Sequence, residues 1–121
     1  MTEKENPKRY DLEDRTFEFA RRVRAFVAKL KNTAANIEDR RQLIKASGSV
    51  GANYIEANEA LSKKDFLMRI KICRKEAKES RYWLRLIDTG NDDELELERK
   101  ALENEASELT HIFGSIVTKS K

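Results

Sequence analysis

Ala46-Ser47-Gly48-Ser49-Val50-Gly51-Ala52-Asn53 is the stretch on which the fold turns, because such small residues form either a loop or an unusually bare helix. A Gly/Ser loop would offer its backbone N–H groups to an anion. A helix would instead repeat its apolar residues at spacings of three and four. Leu43, Ser47, Val50, Tyr54, Ala57 and Leu61 recur at spacings of 4, 3, 4, 3 and 4, straight through the glycines. That periodicity selects the helix. A second row beside it, Ile44, Gly48, Gly51, Ile55 and Asn58, is thinned to bare backbone at its middle. A glycine inside a helix costs about 1 kcal/mol relative to alanine. Two of them therefore mark a place where a neighbouring helix comes close. Ser47, Gly48, Gly51 and Ala52 are the residues expected at this close packing.

The 121 residues around this helix include one proline and four glycines, and 39% are charged. Those values fit one helical domain with solvated outer faces. No apolar run approaches the roughly 20 residues that span a bilayer, and the charged amino terminus does not resemble a signal peptide. No membrane partner is expected. Cys73 is the only cysteine, which excludes an intrachain disulfide and suits a reducing cytoplasm.

Residues 1–10 are polar, contain Pro7 and lack apolar periodicity, so a flexible tail is expected there, with the bundle spanning 11–118. The first helix is expected at about 12–31, capped by Asp11 or Asp14 and carrying Leu12, Phe19, Val23, Phe26 and Leu30 on one face. The second, at about 37–60, opens with Asn36 and Asp39 in the pattern of a capping box. Ser62 and Asp65 repeat the device for the third, at about 63–88. It has the clearest heptad, Phe66, Ile70, Cys73, Ala77, Ser80, Leu84 and Ile87, before Gly90 stops it. Asn91 and Glu94 open the fourth, at about 92–118, with Leu95, Leu102, Ala106, Leu109, Phe113 and Ile116 as its seam. Short links make antiparallel neighbours, so the expected fold is all-α, an up-down-up-down antiparallel four-helix bundle.

Charge is segregated by helix. Between Arg15 and Lys31 six basic residues stand against one acid; between Ser62 and Ile87, nine against three. The fourth helix reverses this with eight acids against two bases. In a square bundle it neighbours both basic helices, so ion pairing accounts for part of the pattern. The two basic helices still carry about five more charges than it offsets, by the same counts. Lys71, Arg74, Lys78, Arg81 and Arg85 follow one another at spacings of 3, 4, 3 and 4 along one side of the third helix. Together with Arg21 and Arg24 of the first, they are the candidate surface for a phosphate backbone. No base-reading motif accompanies them.

The third helix has a second apolar set, Met68, Ile72, Tyr82, Trp83 and Leu86, opposite its heptad. A helix apolar on two sides has two sides to bury. With Phe17 of the first helix, these residues are the expected oligomer interface, self-association being the favoured cause and a partner protein the other. Trp83 has the further option of packing against its own neighbouring helix.

Catalytic groupings are missing. His111 is the only histidine, and Cys73 falls in the heptad core. The glutamate pairs Glu56/Glu59 and Glu76/Glu79 lack the Glu-x-x-His motifs of a di-metal bundle. No phosphate loop, dinucleotide fingerprint or nucleophile elbow is present. No enzymatic activity, metal or cofactor is expected.

Ser47-Gly48-Ser49-Val50-Gly51-Ala52-Asn53-Tyr54-Ile55-Glu56-Ala57 closely resembles the hallmark of the bacterial four helix bundle protein family, whose founding members are encoded in intervening sequences within 23S rRNA genes. Lys64-Asp65-Phe66, Glu76, Glu79, Trp83-Leu84 and the segment from Asp11-Leu12 through Phe17 are similar to it as well. The resemblance covers the first three helices, while the fourth matches mainly in pattern. It implies a cytoplasmic bundle that assembles into a ring-like homo-oligomer, commonly a pentamer. It also implies kinship with the accessory proteins of diversity-generating retroelements, which bind nucleic acid and a reverse transcriptase. The function expected is thus a non-enzymatic homo-oligomer that binds structured RNA or DNA, with a protein-interaction scaffold as the alternative.

Overall fold

A computed structural model describes residues 7–121, with side chains from Leu12 onward. Its four helices are α1 (Pro7–Val27), α2 (Ala34–Asn58), α3 (Lys63–Leu86) and α4 (Asp93–Ser120). Each packs against two neighbours around a square, and the diagonal pairs lie farther apart; α2–α3 and α3–α4 are the more extensive interfaces. The chain is an all-α four-helix bundle. Phe19, Phe26 and Phe113 fill its centre with Leu43, Ile70, Leu84, Leu102 and Leu109, all fully buried. The Tyr54 and Phe113 rings meet at 5.8 Å.

Local choices at the helix ends depart from expectation. α1 is described from Pro7, five residues before the expected start, so Pro7–Tyr10 belong to a helix. The remainder of the expected tail lies outside the described residues. Asp11 and Asp14 fall inside α1 and cannot cap it. α1 ends at Val27, four residues early, although Leu30 is still buried beyond it. The cap of α2 is Thr33, whose side chain accepts from the Asn36 N–H at 3.1 Å. Asn36 is instead fully buried. Its Nδ2 donates to Lys31 O (3.2 Å) and Asp88 O (2.9 Å), and its Oδ1 accepts from Asp88 N (3.1 Å). One side chain thus ties the α1–α2 link to the α3–α4 link.

Ser62 caps α3 as expected. The turn it opens leaves Leu61 outside α2 and 98% exposed, although the sequence pattern placed Leu61 on the buried face. α3 ends at Leu86, so Gly90 does not terminate it. Gly90 and Asn91 take left-handed backbone, φ 67° and 64°, in the link that follows. Asp92, not Asn91, caps α4.

The bare row on α2 has unequal members. A Cβ on Gly51 would lie 2.9 Å from Thr16 Oγ1 and 3.3 Å from Thr16 Cβ on α1. Thr16 is itself buried and held by bonds to Leu12 O and Glu13 O. A Cβ on Gly48 would meet only the Arg24 guanidinium, at 3.5 Å. Close helix approach is therefore a property of Gly51. Ser47 faces the core, and Ala52 is exposed.

Candidate nucleic-acid interface

All five cations of the α3 stripe, Lys71, Arg74, Lys78, Arg81 and Arg85, are exposed. Their spacing sets them on the flank of α3 next to α4, and three contacts confirm the orientation. Arg74 Cδ lies 3.6 Å from where a Gly114 Cβ would be, so the missing side chain lets this arginine lie across α4. Arg81 and Arg85 both reach Glu103 of α4, at 3.7 and 3.8 Å.

Glu103 also meets Arg99 at 3.8 Å, and Arg99 forms a closer pair with Glu96. Two of the stripe's five cations thus share one carboxylate, itself contested by a third arginine. Among the described residues, Lys71, Arg74 and Lys78 make no inter-helix ion pair. Neither Glu103 nor Arg99 stood out in the sequence, although Glu96, Arg99 and Glu103 follow the i, i+3 and i, i+4 spacing of a helix charge ladder.

The opposite case holds between α1 and α4. Arg15 grips Glu105 with two bonds, 2.7 and 3.0 Å, and reaches Glu108 at 2.5 Å. The bond to Glu105 raises the Arg15 pKa further above its usual value. Arg22 reaches Glu98 at 3.4 Å. Here acids match bases, as simple pairing requires. The remaining α1 candidates lie elsewhere. Arg21 pairs with Glu18 of its own helix, and Arg24 lies over Gly48 of α2. Arg24 thus belongs to the α1–α2 side and Arg21 to the outer surface of α1, the helix diagonal to α3, so the two basic stripes do not merge into one surface.

The apolar candidates divide as well. Met68 (48%), Tyr82 (54%) and Leu86 (50%) are exposed on the outer side of α3. Ile72 and Trp83 are half-buried. Trp83 packs against the core cluster, so it takes the alternative left open by the sequence, and its Nε1 is buried without a bond partner among the described residues. Its ring meets Tyr82 edge-on at 5.0 Å. Phe17 is 67% exposed but lies on α1, away from the α3 group.

The glutamate pairs do not converge. Glu76 and Glu79 border a recess with Gln42 and Lys45 of α2, whereas Glu56 lies about 16 Å farther along α2 at 1.5 Å per residue. No metal-binding cluster occurs among the described residues. Burial pushes the Cys73 thiol up to about 12, and its Sγ lies 3.4 Å from Val50 O, which makes it a core residue rather than a nucleophile. No described helix is long and apolar enough to cross a membrane.

Burial, aided by Glu79, holds the Glu76 carboxyl above the usual carboxylate range against the pull of Lys75 and Lys45. The folded protein therefore binds this proton more tightly than the unfolded chain. The linked stability is present below the unfolded value and is lost as pH rises through the raised one. Glu76→Gln should raise the melting temperature at neutral pH, with the gain vanishing toward about pH 4. A gain of the same size at both pH values would contradict this origin.

A family model, the 23S rRNA-intervening sequence protein, matches residues 8–114, which include all of α2 and α3 and most of α1 and α4. The chain belongs to that family. A solved structure from Bacteroides thetaiotaomicron VPI-5482, a protein of unknown function from the S23 ribosomal protein family, has the same fold at a TM-score of 0.74. It is 30% identical to this chain, and the alignment covers 87% of this chain and 96% of that one. No curated protein matches. The residues matched to the 23S rRNA-intervening sequence family include the small-residue run of α2, whose Gly51 meets α1 at Thr16.

Proposed function

We propose that the chain is a non-enzymatic, self-associating module that binds structured RNA or DNA through the α3 stripe. The observation that carries this reading is that, of five aligned cations, only Arg81 and Arg85 reach an acid of another helix, the single carboxylate of Glu103, where the α1–α4 side matches its charges. Unmatched cations at helical spacing suit a phosphate backbone, whose condensed counterions they displace. The net charge of +3 is modest, so association of several protomers strengthens the field that a nucleic acid meets. The resemblance to the retroelement accessory proteins points the same way, and the lone thiol suits a reducing cytoplasm.

The test is fluorescence anisotropy of an RNA hairpin and a DNA duplex titrated at several salt concentrations. Affinity should fall steeply with salt. Changing Lys71, Arg74 and Lys78 together to glutamate should weaken binding uniformly across sequences and lower the log–log salt slope on duplex DNA by about 3, near one unit per lost phosphate contact. Changing Arg21 and Arg24 should leave that slope unaltered, because they lie across the bundle from the stripe. No binding at low ionic strength would remove the proposal.

The second reading, a protein-interaction scaffold, draws on the exposed Met68, Tyr82 and Leu86. A partner whose capture ignores the charge reversals but fails with Tyr82→Ser would favour it.

A further inference from the structure

Tyr82 stands at the edge of the α3 stripe. Lys78 lies four residues before it and Arg85 three residues after, the spacings that make neighbours on a helix surface. At about 100° per residue the two cations point about 40° and 60° to the same side of it. They are about 10 Å apart along the helix axis, with Tyr82 at a height between them. Both cations are exposed, and the tyrosine is 54% exposed. Glu79, three residues before Tyr82, is half-buried in the recess it shares with Gln42 and Lys45 of α2, on the side away from the stripe.

The tyrosine ring is also braced. Trp83 packs against the core cluster, and its ring meets that of Tyr82 at an interplanar angle of 77°. Edge-on rings attract through their quadrupoles. Such a contact covers at most one face of the tyrosine, so the ring is held while a face stays open to solvent.

We propose that Tyr82 is a stacking platform for one unpaired base, whose flanking phosphates are held by Lys78 and Arg85. This rests on the nucleic-acid reading of the stripe and narrows it. The ligand is a single strand, or the loop of a structured RNA or DNA, rather than an uninterrupted duplex. Inside a duplex each base face is covered by the next pair, and a protein meets only base edges and backbone. An unpaired base presents its face, and every base has one, so stacking tolerates any sequence. The cations select this occupant. An apolar side chain of a protein partner would cover the ring but bring no counter-charge for Lys78 and Arg85. A nucleotide supplies the face and the phosphates together.

The test is fluorescence anisotropy of the full chain with short oligouridylate and oligothymidylate, each alone and annealed to oligoadenylate as a blunt duplex. Tyr82→Ala should weaken single-strand binding by about 5- to 100-fold, the loss expected for one stacked base. Duplex affinity and both salt slopes should stay unchanged, because no phosphate contact is removed. Tyr82→Phe keeps the ring and should bind as the wild type does. The uridylate and thymidylate arms show which polymer the platform takes. Equal losses on single strand and duplex, a Tyr82→Phe variant as weak as Tyr82→Ala, or a change of mass by light scattering in Tyr82→Ala would overturn the proposal. The last would make Tyr82 a contact between protomers. Wild-type binding to duplex with single-strand affinity indifferent to Tyr82→Ala would overturn it and spare the nucleic-acid reading. Absence of binding to all four probes at low ionic strength would remove both.

Discussion

Gly51→Leu is expected to lower stability by about 3 kcal/mol or more and the melting temperature by roughly 10 °C. Even a Cβ at this position would stand 2.9 Å from Thr16 Oγ1, and Thr16 cannot withdraw. Its hydroxyl is bonded to Leu12 O at 2.8 Å, and its side chain is branched at Cβ. A larger side chain must push α1 off α2. Gly51→Ala tests the same contact more gently, since about 1 kcal/mol of gained helix propensity offsets part of the strain. Adding Thr16→Ala should relieve the clash, so a double-mutant cycle should report favourable coupling between the two substitutions. Gly48→Ala is the control. Its Cβ would meet only the movable end of Arg24, so stability should hold or rise by up to about 1 kcal/mol. Equal effects at the two glycines, measured by thermal or urea unfolding, would refute the assignment of the close approach to Gly51.

The second large effect is expected at Asn36. Asn36→Ala removes three hydrogen bonds and leaves Lys31 O, Asp88 O and Asp88 N to find other partners, at a cost of about 3 kcal/mol. Asn36→Asp is the sharper test. It keeps an oxygen for Asp88 N but has no donor for the two carbonyls, and it directs a negative charge at both. The aspartate should therefore be no better than alanine at neutral pH and should improve on acidification as its carboxyl gains a proton. Because Asn36 joins two links at one end of the bundle, amide exchange in residues 28–33 and 87–92 should accelerate in either variant. An Asp variant as stable as the wild type would show that the donated bonds contribute little.

Asn36 also shows where legibility ended. An Asn three residues before an Asp, ahead of an apolar run, has the local form of a helix start. Thr33, three residues earlier, is an equally eligible cap. The choice between them depended on Asp88, 52 positions away, which claims the Asn36 amide. The same limit explains Leu61. Its spacing continues the buried row of α2, but the turn that lets Ser62 cap α3 ends the helix first.

At the candidate site, the exposure of the α3 stripe was legible because position along a helix sets direction at about 100° per residue. Its partners were not. That Glu103 serves Arg81 and Arg85 while Glu105 and Glu108 go to Arg15 follows from the rotation and offset of α4 against both neighbours.

By itself, then, the amino-acid order determined the number and sequence of helices, their inward faces and the sign of charge on each. These follow from local periodicity and from links too short to permit any but antiparallel neighbours. Only the tertiary structure decided which glycine bears the close approach, that Trp83 turns inward, and that Arg21 and Arg24 stand across the bundle from the α3 stripe. Those outcomes depend on how far each helix is rotated about its axis. Rotation is settled by packing between residues distant along the chain, which no local pattern records.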